Sequence, residues 1–270
     1  MHLTIIKGGK TIDHRTLGIK LKQFRKASLS PNNQFETVEG RNGAISMGTS
    51  YDSRKISASF YIVAKDHLDF QLLCDEVYWI FETGEEMIVI DSRQPGKQWH
   101  VKVASEFQVE PISKNKGTFS VEFVAPFPYA ESVGTTSNPF TFDAGIWQVA
   151  GGISGSDVQY SYKTASFSIY NGGDIAVDPR YVSLLITYTG ASTNLSIKNS
   201  TTGDEWKYTG TTSTSDTLRL DGIRSTKNNL SIFRDTNRKL ITLNKGTNNF
   251  SLTGASGTFT VSFDFRFYFV

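Results

Sequence analysis

The chain offers a short set of residues for chemistry. Paired carboxylates such as Glu85 with Glu86 and Asp204 with Glu205 stand beside a single cysteine, Cys74, and four histidines, His2, His14, His67 and His100. A glycosidase needs two carboxyls facing each other across a cleft. Neighbours in a turn point apart, so both pairs read as solvated turn residues. The histidines fall in unrelated local contexts, and no G-x-S-x-G, Walker, H-E-x-x-H or G-x-G-x-x-G pattern occurs. Cys74 sits among Leu72, Leu73 and Val77, where a free cysteine is a small buried hydrophobe. The expectation is therefore no enzyme, no catalytic residue, no metal and no cofactor.

Binding chemistry has two further candidates. Lys7, Lys10, Arg15, Lys20, Lys22, Arg25 and Lys26 are accompanied only by Asp13 in the first thirty residues. Such a cluster can meet nucleic acid or an acidic protein edge, but it is interleaved with strand-like Leu3, Ile5, Leu17, Ile19 and Leu21 and reads equally as a solvated strand face. Trp147, after Gly145, and Trp206, after Gly203-Asp204-Glu205, are candidate sugar-stacking platforms; the competing reading makes them core aromatics.

These residues are carried by 270 positions of which 38% are hydrophobic, 13% aromatic and 20% charged, with a net charge of +2. That composition can bury one or two cores and excludes a disordered chain. The near-neutral balance selects no nucleic acid, membrane or acidic substrate. One cysteine forms no intramolecular disulfide. MHLTIIKGGK lacks a signal-peptide core, no stretch approaches the roughly 20 apolar residues of a membrane span, and the chain is expected to stay where it is made. The sequons at Asn194, Asn199, Asn229 and Asn249 then reflect an Asn/Ser/Thr-rich second half.

One helix is expected, from an Asp66 cap to Phe81, with Leu68, Leu72, Leu73, Val77, Ile80 and Phe81 on its apolar face and Gly84 beyond its end. Strands surround it. Ile56, Ala58, Phe60 and Ile62 alternate, as do Val101, Val103, Ser105, Phe107 and Val109, and Phe119, Val121 and Phe123. Gly40-Arg41-Asn42-Gly43 predicts a turn into a strand near Ala44. Residues 131–145 have linker or edge-strand composition, which sets two domains, 1–135 and 136–270.

Beyond the boundary, short strands are expected at Phe167–Tyr170, Tyr181–Tyr188, Leu195–Lys198, Thr217–Asp221, Leu230–Phe233, Leu240–Leu243 and Phe250–Leu252. That cadence predicts a β-sandwich or jelly roll. Phe259, Val261, Phe263, Phe265, Phe267 and Phe269 share one face of a last strand that belongs inside a sheet.

The ordered set Thr37–Gly43, Tyr51–Ile56, the helix from Asp66, Ile90-Asp91, Lys97–Val103 and Phe119–Tyr129 resembles the distal tail protein (Dit) family of long non-contractile-tailed bacteriophages. In the second half, Phe167–Gly173, Pro179, Lys198–Asp204 and Leu243–Asn249 are similar to that family's galectin-like domain. Two features depart from it. The first domain closes on Phe127-Pro128-Tyr129 in place of an aspartate-Pro-Tyr, and Asp174 and Asp178 add charge to the next loop.

The resemblance implies a mainly β protein with an N-terminal tube-type sandwich carrying one helix and a galectin-like C-terminal sandwich. The implied function is structural: a homohexameric ring, alone or stacked, in the virion tail tip, made in the host cytoplasm. It would join the major tail protein to a tip or receptor-binding protein, with DNA only passing through its channel and no membrane contact. The candidate interface residues are Lys20, Lys22, Arg25, Arg41 and Arg54. The alternative is a carbohydrate-binding adhesin using Trp147 and Trp206.

Overall fold

A computed structural model describes residues 1–82, 84–141, 145–147 and 158–270. The chain divides into two compact units, Met1–Ala130 with Val270, and Glu131–Phe269. The sequence reading cut the chain at 135. Ser132 and Thr136 lie within the second unit, where their amides donate to the Phe267 and Phe265 carbonyls at 2.8 and 2.9 Å. Residues 142–144 of the expected linker lie outside the described residues.

The first unit runs β1 (Leu3–Lys7), β2 (Lys10–Ile12), a 3-10 turn His14–Leu17, β3 (Ile19–Lys26), β4 (Pro31–Glu36), β5 (Ile45–Tyr51), β6 (Arg54–Val63), α1 (His67–Ile80), β7 (Met87–Asp91), β8 (Lys97–Val103), β9 (Glu110–Ser113) and β10 (Lys116–Ala125). Its strands order as β2-β1-β7-β8-β10-β6-β3, with β9 also on β10. Alternation decides the sheet faces. Ile56, Ala58, Phe60 and Ile62 are buried, and so are Phe119, Val121 and Phe123 across from them. Phe60 stacks on Phe119 at 4.9 Å, and Phe81 contacts Phe60, Phe119 and Phe123 to complete an aromatic core. The alternation expected through Val109 stops early, because β8 ends at Val103.

Asp66 caps α1 by accepting the Leu68 and Asp69 amides at 2.9 Å. The buried stripe is Phe70, Leu73, Cys74, Val77 and Ile80. Leu68 and Leu72, expected in the core, are each 68% exposed. A stripe through 70, 73, 74, 77 and 80 follows the 3.6-residue period, and 68 and 72 fall to its flank. Lys7 caps the other end. Its buried ammonium donates to the Trp79 carbonyl at 3.0 Å and sits 3.6 Å from Glu82, satisfying a helix-end carbonyl with the charge that the helix dipole favours.

β4 and β5 pair only with each other, as a separate two-stranded sheet. Gly40 and Gly43 adopt φ of 78° and 82° in the turn that joins them, and β5 starts at Ile45.

In the second unit the elements are β11 (Ala130–Ser132, entering from the first), β12 (Ser161–Tyr162), β13 (Ser166–Asn171), β14 (Leu184–Asn199), β15 (Glu205–Lys207), β16 (Thr211–Thr212), β17 (Thr217–Asp221), β18 (Arg224–Lys227), β19 (Leu230–Ser231), β20 (Gly246–Phe265) and β21 (Tyr268–Phe269). The main sheet orders as β12-β20-β14-β17-β18-β19, so β20 is internal, and Phe259, Val261, Phe263 and Phe265 are buried.

Two of the expected short strands, ending at Tyr188 and starting at Leu195, are one 16-residue β14. The interruption is a register shift at Gly190 and again between Ser192 and Ser196, paired with a kink at Gly254. At Gly254, φ is 83° and a Cβ would lie 2.5 Å from the Thr193 carbonyl oxygen. Glycine there lets β20 bend past the bulge without ending. Leu240–Leu243 forms no strand; Leu243 makes an isolated bridge with Val177.

Candidate assembly interface

The local charge of the first thirty residues separates once folded. Lys7 is buried against α1. Arg15 is held by Asp13 through a bidentate pair with contacts of 2.8 and 2.7 Å. Lys26 donates to Gln94 and lies over the Trp99 ring, where burial and then the neighbouring Lys97 and Arg54 push its pKa down. Lys10 remains exposed on β2, and Lys20, Lys22 and Arg25 remain exposed on β3. These three face outward because Ile19, Leu21 and Phe24 take the core side, with a bulge between Leu21 and Gln23. Below them the outward face continues through Ser57 and Ser59 of β6, Ser120 and Glu122 of β10 and Lys102 of β8. Arg25, Lys55, Lys102 and Glu122 line a shallow groove there.

Arg54 is not on that surface. Only 8% exposed, it donates from Nε to the Ala27 carbonyl at 2.7 Å and stacks on Trp99 with 5.1 Å to the ring centroid. Burial lowers its pKa. It ties the ends of β3 and β6 together within its own unit, so its place among the candidate interface residues is corrected to an internal one. Arg41 lies exposed at the tip of the β4–β5 hairpin.

That hairpin was the feature the sequence reading passed over. Thr49 donates to the Asn33 side chain at 2.7 Å, which fixes the face shared by Pro31, Asn33, Thr49 and Tyr51. Phe35 and Met47 are 64% and 60% exposed, and a register shift between Gln34 and Phe35 sets Phe35 opposite Ser46 and leaves Met47 in the bulge. A two-stranded sheet that is exposed almost throughout and covers no core of its own is marginal in water. The signal was available as Pro31, Phe35, Met47 and Tyr51 in two runs separated by Gly40 and Gly43.

The remaining candidates are accounted for locally. Trp206 is 1% exposed, and its Nε1 donates to Ser225 Oγ at 3.2 Å, so it is a core residue of the second unit and no stacking platform. Trp147 is half-buried with Phe140 stacked on it at 4.1 Å, and its Nε1 donates to the Pro139 carbonyl. Glu85 lies near Lys7, and Glu86 contacts His100 at 2.9 Å. Asp204 accepts from Thr202 and from the Thr242 amide, whereas Glu205 pairs with Ser196 and Lys207, contacts that lower its pKa. Each pair thus engages separate partners. Burial raises the pKa of Cys74. Among the described residues no three His, Cys, Asp or Glu side chains converge as a metal site.

Residues 12–125, from β2 to the end of β10, match the phage tail protein RIFT-related domain family. The chain as a whole shares its fold with a distal tail protein. Over 99% of its length it superposes on 100% of the Dit protein of phage SPP1, described as a paradigm of the hub adsorption apparatus in phages that infect Gram-positive bacteria, with a TM-score of 0.69 and 13% identity. A chain of the phage p2 baseplate in its activated conformation is matched over 98% of this chain and 97% of that one, at a TM-score of 0.44 and 10% identity. No curated protein matches the sequence. At these identities the shared property is the fold, and this chain's own residues must supply any statement about its contacts.

Proposed function

We propose that this tail protein is a hub: copies of it close into a six-membered ring at the distal end of the tail tube, between the major tail protein and the tip or receptor-binding apparatus. The observation that carries this reading is the end-to-end likeness of both units to the hub protein of phage SPP1. The exposed Phe35 and Met47 of the β4–β5 hairpin are consistent with it, because a ring supplies the neighbour that such an arm lacks in the monomer. Ring contacts then fall within residues 1–130, with Lys20, Lys22, Arg25 and Arg41 on the accessible surface. The second unit, a β-sandwich of galectin-like type, serves as an attachment platform. The protein works in the virion after synthesis in the host cytoplasm, and DNA passes through the ring without specific recognition.

The test is the mass of the full-length protein across micromolar concentrations, with negative-stain images of the same sample. Six-fold particles with a central channel are expected. A chain that stays monomeric at every concentration and is retained on an immobilised glycan would replace the hub reading with that of an adhesin.

A further inference from the structure

In the first unit, β3, β6, β10 and β9 form consecutive strands of one antiparallel sheet, and β3 and β9 are its two open edges on this path. The edges carry opposite charge. From Ile19 to Lys26 there are four cations and no acid, whereas residues 104–113, leading into and through β9, hold Glu106 and Glu110 and no cation. Lys20, Lys22, Arg25, Glu106 and Glu110 are all exposed. Among the described residues none of the five is engaged in an ion pair. Lys114 lies beyond this stretch, in the β9–β10 turn, and Lys116 is the first residue of β10, opposite Ser113.

Register adds a second observation. Lys20 is opposite Tyr61, Tyr61 is opposite Thr118, and Thr118 is opposite Glu110. Directly opposed residues share a sheet face, so Lys20 and Glu110 end the same cross-strand row on the same face at opposite edges. Strand direction is also compatible. Three antiparallel steps separate β3 from β9, so β9 of one copy set beside β3 of another continues the sheet antiparallel.

We propose that the sheet extends from copy to copy through this junction, with the acidic β9 edge of one chain against the basic β3 edge of the next and Glu110 facing Lys20. The occupant of each edge is a second copy of this chain. A head-to-tail contact uses two different surfaces on every subunit, which the two edges supply, and it closes if the rotation per copy allows. Lys22, also exposed, lies two residues further along the same β3 edge. Pro111 takes one N–H donor from the β9 edge, so charge pairing contributes a larger share of the specificity there.

This pairing rests on the ring reading, and the experiment separates the two. Full-length protein is compared as wild type, as Lys20→Glu with Lys22→Glu, as Glu106→Lys with Glu110→Lys, and with all four changes combined. Each reversed edge alone is expected to raise the concentration needed for half-assembly at least tenfold, and the fourfold variant to recover most of that loss. Matching thermal melts confirm folding, and Lys20→Gln with Glu110→Gln replaces any reversal that does not fold. Normal assembly of both reversed proteins, or no recovery in the fourfold variant, overturns the edge pairing while leaving the ring intact. A wild-type chain that never assembles defeats the ring reading and this junction with it.

Discussion

The imidazole of His14 accepts the backbone N–H of Leu3 on Nε2 at 3.1 Å, while its Nδ1 donates to the Ile19 carbonyl at 2.7 Å. The ring is fully buried, edge-on to Phe60 at 5.6 Å, and joins the start of β1 to the start of β3. Only the neutral Nδ1–H tautomer makes both bonds.

Burial lowers the pKa of His14 below the ordinary 6.5, with smaller raising effects from its bond to Ile19 and from Asp13, and smaller lowering ones from His2 and Arg15. Below pH 6.5 the unfolded chain takes up a proton that the native state refuses. The stability of the first unit is full above that value and falls as pH decreases toward the native pKa, by up to about 1.4 kcal/mol per pH unit. Urea unfolding between pH 7.5 and 5 measures the slope, and His14→Gln should flatten it. An unaltered slope in that variant would assign the acid sensitivity to other groups.

Gly18 ends the 3-10 turn with φ of 79°, and a Cβ there would stand 2.6 Å from the Val63 carbonyl oxygen. Because that obstacle is backbone, Gly18→Ala adds a clash to the left-handed strain and should cost about 2 kcal/mol. Gly43 has a similar φ but no atom within 4 Å of such a Cβ, and it lies in the exposed hairpin. Gly43→Ala should shift the melting temperature of the full chain much less than Gly18→Ala does; equal shifts would count against this account.

Trp206→Ala should destabilise the second unit by about 3 to 5 kcal/mol, through the cavity it leaves and the Ser225 hydroxyl it strands. Glycan-array binding, if the wild type has any, should change only in step with unfolding. Lost sugar binding in a variant with wild-type denaturation would reinstate Trp206 as a ligand contact.

A fragment starting at Asn138 omits Ser132 and Thr136. Thr136 Oγ1 donates to the Phe263 carbonyl at 2.8 Å and accepts the Phe265 amide at 3.0 Å, and Ser132 Oγ accepts the Phe267 amide at 3.1 Å. With the two backbone bonds from the Ser132 and Thr136 amides these make five, so at about 1 kcal/mol per hydrogen bond a fragment of residues 131–270 should be roughly 5 kcal/mol more stable than one of 138–270. Coincident denaturation midpoints for the two would place the start of the second unit later in the chain.

Local rules were legible wherever the answer depended on neighbours in sequence. Asp66 marked the start of α1 because a carboxylate can reach amides two and three residues on. The alternations at Ile56–Ile62 and Phe119–Phe123 fixed which side of β6 and β10 is buried, and the phenylalanines of β20 placed that strand inside a sheet. The ordered motifs of the first half lie largely within residues 12–125, the stretch that matches a phage tail protein domain family.

Tertiary structure decided which side chains remain available. Lys7, Arg54 and Trp206 read as candidate surface groups by type, yet each is consumed by a partner far away in sequence, at Trp79, Ala27 and Ser225. Leu68 and Leu72 match a helical period but flank the stripe that meets the sheet. The alignment of Lys20 with Glu110 passes through two intervening strands, Tyr61 and Thr118, and register between strands is set by the packing of whole faces. Sequence spacing specifies which face a residue takes within one element, whereas what that face meets follows from long-range pairing.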